Sequence, residues 1–162
     1  LSNAIRGADD LAEVEAFGRD IGALACQLVA QGAATGALTA FISSLIDLLT
    51  ERIVELELRA TDVDPAQVCW IVMGSEGRCE QTLATDQDNG LIFAAGERSS
   101  TQEMRQRLSA VGRRINLALD RAGYKLCRGG IMAGNPQWCL SLHEWRSRLA
   151  HPAWAAAPGP RT

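Results

Sequence analysis

Two carboxylates stand two residues apart in Asp86-Gln87-Asp88, just ahead of the apolar run Leu91-Ile92-Phe93-Ala94. In extended chain, side chains at i and i+2 point to one face, so both acids project together. Like charges this close repel unless a cation lies between them. Mg²⁺ takes carboxylate, water and phosphate oxygens, and two such ions clamp an in-line phosphoryl transfer. Upstream, the run Val68-Cys69-Trp70-Ile71-Val72-Met73 stops at Gly74-Ser75, and Gly77 follows. Small residues there let the backbone approach a ligand, and N–H groups with the Ser75 hydroxyl can hold phosphate oxygens. The GxxxxGK[ST] phosphate loop is missing. Taken singly, Gly-Ser is an ordinary turn and Asp-x-Asp an ordinary loop.

The elements that must position these residues are legible in the hydrophobic pattern. Leu11, Val14, Phe17, Ile21, Leu24 and Leu28 draw one helical stripe over residues 9 to 31. Gly32 and Gly36 bracket a break, and Leu38, Phe41, Ile42, Leu45, Leu49, Ile53 and Leu56 draw a second stripe. Two long helices joined by a short glycine-containing turn predict an antiparallel hairpin. A polar connection around Asp62 and Pro65 leads into residues 68 to 73, which have the length and β-rich content of a buried strand. Residues 91 to 94 read as a second strand. Ser100-Thr101-Gln102-Glu103 is a capping box, and Met104, Leu108, Val111, Ile115 and Leu119 continue it as a helix ending at Gly123. Tyr124-Lys125-Leu126-Cys127 reads as a short third strand, and Gly129, Gly130 and Gly134 make the next segment loop-like. Asn135-Pro136 is read as the cap of a last helix with Trp138, Leu142, Trp145 and Leu149 on one face. The tail from 152 to 162 carries three prolines and reads as frayed or truncated. The expected division is a helical hairpin over 1–62, an α/β core over 63–150 and a flexible or truncated tail over 151–162.

Composition narrows the classes. The chain has 162 residues, 47% hydrophobic and 22% charged, enough to bury a core without staples and too apolar for a disordered chain. A net charge of −3 gives no general attraction for nucleic-acid phosphate. No apolar run approaches the length of a membrane span and no leader pattern is visible, so a cytoplasmic protein without membrane or nucleic-acid partners is expected. Cys26, Cys69, Cys79, Cys127 and Cys139 form an odd set without a CxxC pair, and His143 and His151 are the only histidines. That spacing supports neither zinc nor a disulfide framework. Cys69 and Cys139 read as small core residues.

The order of the parts is more specific than the parts. An apolar strand, Gly-Ser, roughly ten residues, then Asp-x-Asp into another apolar strand resembles the signature of the polymerase β nucleotidyltransferase superfamily. The string from Met73 through Gly74-Ser75-Glu76-Gly77-Arg78-Cys79-Glu80 to Asp86-Gln87-Asp88-Asn89 resembles one branch in particular. This is the nucleotidyltransferase family of bacterial signalling proteins, usually found behind cyclic-nucleotide-binding and CBS domains and related to the uridylyltransferase that modifies PII. Gly130-Ile131-Met132-Ala133-Gly134-Asn135-Pro136-Gln137-Trp138 and the leading hairpin are similar to that family too.

The resemblance implies a nucleotidyltransferase-like small mixed sheet flanked by helices, of α/β (α+β) class. It implies that Gly74, Ser75, Gly77 and Arg78 bind a nucleoside triphosphate such as ATP and that Asp86 and Asp88 hold Mg²⁺ or Mn²⁺ as the catalytic pair. Nucleoside monophosphate would pass to an acceptor, a regulatory protein, with sensor domains as neighbours. Arg78 and Glu80 are equally read as a structural ion pair. Trp138 and Trp145 are read as core anchors rather than a base-stacking platform, and Lys125, Arg128, Arg113 and Arg114 as solvated surface. The superfamily also supplies a third carboxylate from a later strand. Residues 124 to 127 carry no acid, and the alternative reading is a catalytically inactive nucleotide- or partner-binding regulatory module.

Overall fold

The computed structural model describes residues 1–78, 86–94 and 100–151. Cys79, Glu80, Glu97 and the tail from 152 lie outside them. A short helix absent from the sequence reading, α1 (Ser2–Gly7), precedes α2 (Leu11–Ala30) and α3 (Thr35–Arg59). Asp10 caps α2 by accepting from the Ala12 N–H at 3.0 Å, an end the polar Asp9-Asp10 pair foreshadows. Gly32, at φ +77°, turns the chain so that the Ala33 N–H reaches the Leu28 carbonyl at 3.0 Å. The helix after it starts at Thr35, so Gly36 sits in its first turn rather than in the break.

The two predicted stripes meet. Val14, Ile21 and Ala25 share a buried apolar cluster with Ile42, Leu45, Leu49 and Ile53, and Val111, Ile115 and Leu119 of α5 (Thr101–Arg121) close it. Gly18 lets α2 approach the end of α5, where a Cβ would stand 2.5 Å from the Ala122 carbonyl oxygen. Across that contact Arg121 grips Glu15 at 2.7 and 2.9 Å, which raises the guanidinium pKa further. Arg52 of α3, only 7% exposed, reaches back to α1: it donates to the Ala8 carbonyl at 2.6 Å and pairs with Asp9 at 2.7 Å and Glu55 at 2.5 Å.

A three-stranded sheet lies beside the helices in the order β1 (Val68–Val72), β2 (Asn89–Phe93), β3 (Cys139–Ser141). β1 and β2 are antiparallel, with Val68 opposite Phe93 and Val72 opposite Asn89; β2 and β3 are parallel. The sheet is thus small and mixed, as expected. Three details differ from the sequence reading. β1 is an edge strand and only half-buried, and its outward face leaves Cys69 exposed rather than in the core; Cys139 is fully buried. Residues 124 to 127 do not form a strand: a single parallel bridge joins Lys125 to Asp86. The strand that completes the sheet lies further on, where a helix was expected. The last helix, α6 (Leu142–Ala150), starts at a second capping box, Ser141 with Glu144, so Trp138 stands off the helix. Asn135 instead closes a local turn, accepting from the Gln137 N–H at 3.1 Å.

The last two differences share one cause. Alternate N–H groups along β2 and its approach, from Gln87, Asn89 and Leu91, donate to the carbonyls of Lys125, Ile131 and Trp138 at 2.8, 3.0 and 2.8 Å. Residues 124–141 therefore follow β2 as one parallel track broken by two excursions. The glycines and Asn135-Pro136 belong to those excursions. Pairing this interrupted leaves no continuous alternation for the sequence to display.

Candidate nucleotide site

Burial alternates along the Asp86-Gln87-Asp88-Asn89 run. Asp86 is exposed and Asp88 half-buried, while Gln87 and Asn89 are 2% and 1% exposed. The extended chain thus turns both carboxylates away from α5 and both amides toward it, as the i, i+2 spacing requires.

The inward amides meet Asn116 of α5, itself 3% exposed. Asn116 Nδ2 donates to Gln87 Oε1 and to Asn89 Oδ1, both at 2.9 Å. Gln87 Nε2 donates to the Asn116 carbonyl at 3.0 Å and to the Tyr124 carbonyl at 2.7 Å. Asn89 Oδ1 also accepts from the Ala133 N–H, and Asn116 Oδ1 from the Gly134 N–H, each at 2.9 Å. Three side chains thereby tie the acid-bearing run, the helix and the interrupted track together. Gly112 allows the close approach, since a Cβ there would stand 2.7 Å from the Ala133 carbonyl oxygen. Sequence reasoning missed Gln87, Asn89 and Asn116. The signal available was the strict acid-amide alternation, which marks two faces of one strand.

The far end of the site comes from β1. The Met73 N–H donates to the Asp88 carbonyl at 2.8 Å, which carries the ladder one residue past the strand. Gly74 then adopts φ +57°, a left-handed conformation natural to glycine, and a Cβ there would collide with Asp88 Oδ2. Gly74 and Asp88, distant in sequence, are in contact. Residues Gly74–Gly77 form a single helical turn, with Ser75 half-buried and Arg78 exposed beyond it. The Gly77 N–H is taken up by the Met73 carbonyl at 3.0 Å, so Gly77 packs on the Val72 carbonyl instead of offering that donor to a ligand.

Around Asp88 stands one group that sequence reading had set aside. Cys127 faces its carboxylate; burial, with Asp88 adding to it, pushes the thiol pKa up. Lys125, bridged to Asp86 through the backbone, sends its ammonium to Asp120 at 3.5 Å, and Arg114 pairs with Glu57 at 2.6 Å. Trp145 is 3% exposed and donates its indole N–H to the Leu91 carbonyl at 3.0 Å. It therefore anchors β2 from behind, with half-buried Trp138 tilted against it at 6.1 Å and Arg148 over both rings.

Two hard carboxylates on one face, one seated on a glycine, fit a divalent cation that keeps water and phosphate oxygens in its shell. Among the described residues no cluster of three or more His, Cys, Asp or Glu could hold a metal unaided. Among the same residues, no helix is long and apolar enough to cross a membrane.

Neither the curated proteins nor the solved structures contain a match to the chain. A family model described as "Putative nucleotidyltransferase DUF294" matches residues 19–161, which span α3, the sheet, the acid pair, the amide network and the second capping box. With that match running through nearly all of the fold, the chain belongs to this nucleotidyltransferase family.

Proposed function

We propose that this chain carries out Mg²⁺-dependent transfer of a nucleoside monophosphate from a triphosphate to an acceptor hydroxyl on a regulatory protein. The observation that carries the reading is the contact of Gly74 with Asp88, which joins the Gly-Ser turn to the acid pair. In this reading Asp86 and Asp88 hold the cation, and the Gly74-Ser75 backbone with the Ser75 hydroxyl receives phosphate oxygens. Arg78 adds positive charge near them. The cation, when bound, neutralises charge that develops as pyrophosphate leaves. The amide network supplies preorganisation: with Gln87 and Asn89 locked to Asn116, the carboxylates that alternate with them keep their direction without reordering during reaction. Neighbouring cyclic-nucleotide-binding or CBS sensor domains, a cytoplasmic setting and a likeness to the uridylyltransferase that modifies PII belong to the same reading.

A second reading, a nucleotide-binding regulatory module without turnover, is favoured by one observation. In the track that follows β2, the side chain brought against Asp88 is the Cys127 thiol. The acceptor hydroxyl must lose a proton in line with the α-phosphorus, and no carboxylate stands in residues 124 to 127 to take it. Thermal melting with each of the four common triphosphates, with and without Mg²⁺ or Mn²⁺, tests the shared part. A ligand at 100 times its Kd adds about 2.7 kcal/mol, and absence of any metal-dependent shift overturns both readings. Metal-dependent transfer of labelled nucleotide to a protein acceptor by this chain decides for the enzyme.

A further inference from the structure

Between the outer face of α3 and the free side of β1 lies a groove of about 490 Å³ that the nucleotide reading does not use. Its floor is apolar: Val54 and Leu58 from the helix, Pro65 from the connecting turn, Trp70 and Val72 from the strand. The Thr50 hydroxyl and the Trp70 indole N–H of its lining are both buried, which leaves an apolar face toward the groove. The rim is acidic. Asp47, Glu51 and Glu55 stand one helical turn apart along α3. Arg52 and Arg59 neutralise Glu55, whereas Asp47 and Glu51 have no basic partner among the described residues. Partial burial already raises the Asp47 carboxyl pKa, the response of an acid that lacks a neighbouring cation.

We propose that this groove is a docking site for a basic, apolar segment of a partner protein, whose apolar side chains fill the floor between Val54 and Trp70 while its lysines or arginines pair with Asp47 and Glu51. An acidic rim excludes anionic lipid surfaces and acidic peptides by the same charge that attracts a basic one. The groove ends at Val72, just before Met73 and Gly74, so an occupant lies along the strand that presents the Gly-Ser turn. Docking requires no nucleotide, and its failure is therefore separable from failure of the nucleotide reading.

The test uses the full chain and three fluorescein-labelled peptides sharing one set of leucines, with lysine, serine or glutamate at the intervening positions. Fluorescence anisotropy in low salt is expected to show the lysine peptide binding at least tenfold more tightly than the serine peptide, and the glutamate peptide not at all. The double variant Asp47→Asn/Glu51→Gln, which alters only rim carboxylates, should lose that tenfold preference and most of the salt dependence. Val54→Arg should abolish binding, and hydrogen exchange should slow in 47–58 and 65–72 when the lysine peptide is added. Equal binding of the lysine and serine peptides, no binding of either, or protection elsewhere in the chain overturns the proposal. So does self-association in sedimentation that Val54→Arg removes, because the groove would then belong to a second copy.

Discussion

Helices α2 and α3 meet through Val14, Ile21, Ala25, Ile42, Leu45 and Leu49, whereas the start of β2, beside the apolar contact of Leu91 and Phe93 with Met104 and Leu108, is fastened to α5 and the 124–141 track through Gln87, Asn89 and Asn116. The first contact is shape and area; the second is a set of directed hydrogen bonds in a dry interior. Apolar side chains can slide and repack at modest cost. Amides have one geometry in which every donor finds its acceptor, and a one-residue slip of the strand would bury the acids and expose the amides. The helical part therefore holds the mass of the fold, and the amide part holds a direction. A pair of carboxylates offered to a cation needs the second kind of fastening.

The sharpest way to break this comparison is Asn116→Leu. It strips the Asn116 amide from Gln87 Oε1 and from the Gly134 N–H, while Asn89 Oδ1 keeps the Ala133 N–H; at about 1–3 kcal/mol for each of two orphans, with one bond more lost at Asn89, the chain should lose roughly 3–5 kcal/mol. Urea denaturation reads the loss; hydrogen exchange should show β2 and residues 124–134 opening first. Leu49→Ala, at a fully buried position among the helices, is expected to cost about 3 kcal/mol and to leave the β2 amides as protected, relative to global opening, as before. If Leu49→Ala instead loosened β2 preferentially, the two fastenings would not be independent.

Asp86→Asn and Asp88→Asn sharpen the same contrast from the outward face. Each should abolish metal-dependent nucleotide stabilisation in a thermal shift while moving the melting free energy of the unliganded chain by no more than about 0.5 kcal/mol, with any change toward stability as like-charge repulsion falls. A large loss in both would assign the acids to the fold rather than to a ligand. The smallest effect is expected at Glu144. Burial alone would raise its carboxyl pKa, but the Ser141 N–H, Arg105 and the Ser141 hydroxyl together bring it below the usual glutamate value. A carboxyl lowered in the folded state stabilises above its ordinary range and loses that contribution as pH falls through the lowered value. Glu144→Gln should therefore melt slightly below the parent at pH 7, and the gap should close on acidification below pH 4.

What the sequence made legible follows the same division. The stripes over 9–31 and 38–56, the apolar runs of β1 and β2 and the Ser100–Glu103 capping box all act within a few residues of each other, and each appears where its pattern lies. The Asp86-x-Asp88 facing was also readable, because strand alternation is local. The edge strand Cys139–Ser141 was not, since it owes its existence to Leu91, Ile92 and Phe93 far earlier in the chain. Asn135-Pro136 has the composition of a helix start, yet its hydrogen bonds close a turn within the track. Cys69 shows the remaining limit: in a run of six apolar residues nothing marks which one faces out.

The family pattern begins at residue 19, inside α2, and so leaves out Ala8 and Asp9, two of the three anchors of Arg52. A chain trimmed to that pattern would leave the guanidinium with Glu55 alone to receive it. Arginine cannot shed its charge as a buried lysine can. The cut end of the bundle must then admit water around Arg52 and uncover the helix faces that Ile5 and Val14 had sealed. Truncation at residue 19 should therefore yield an aggregating fragment rather than a minimal domain.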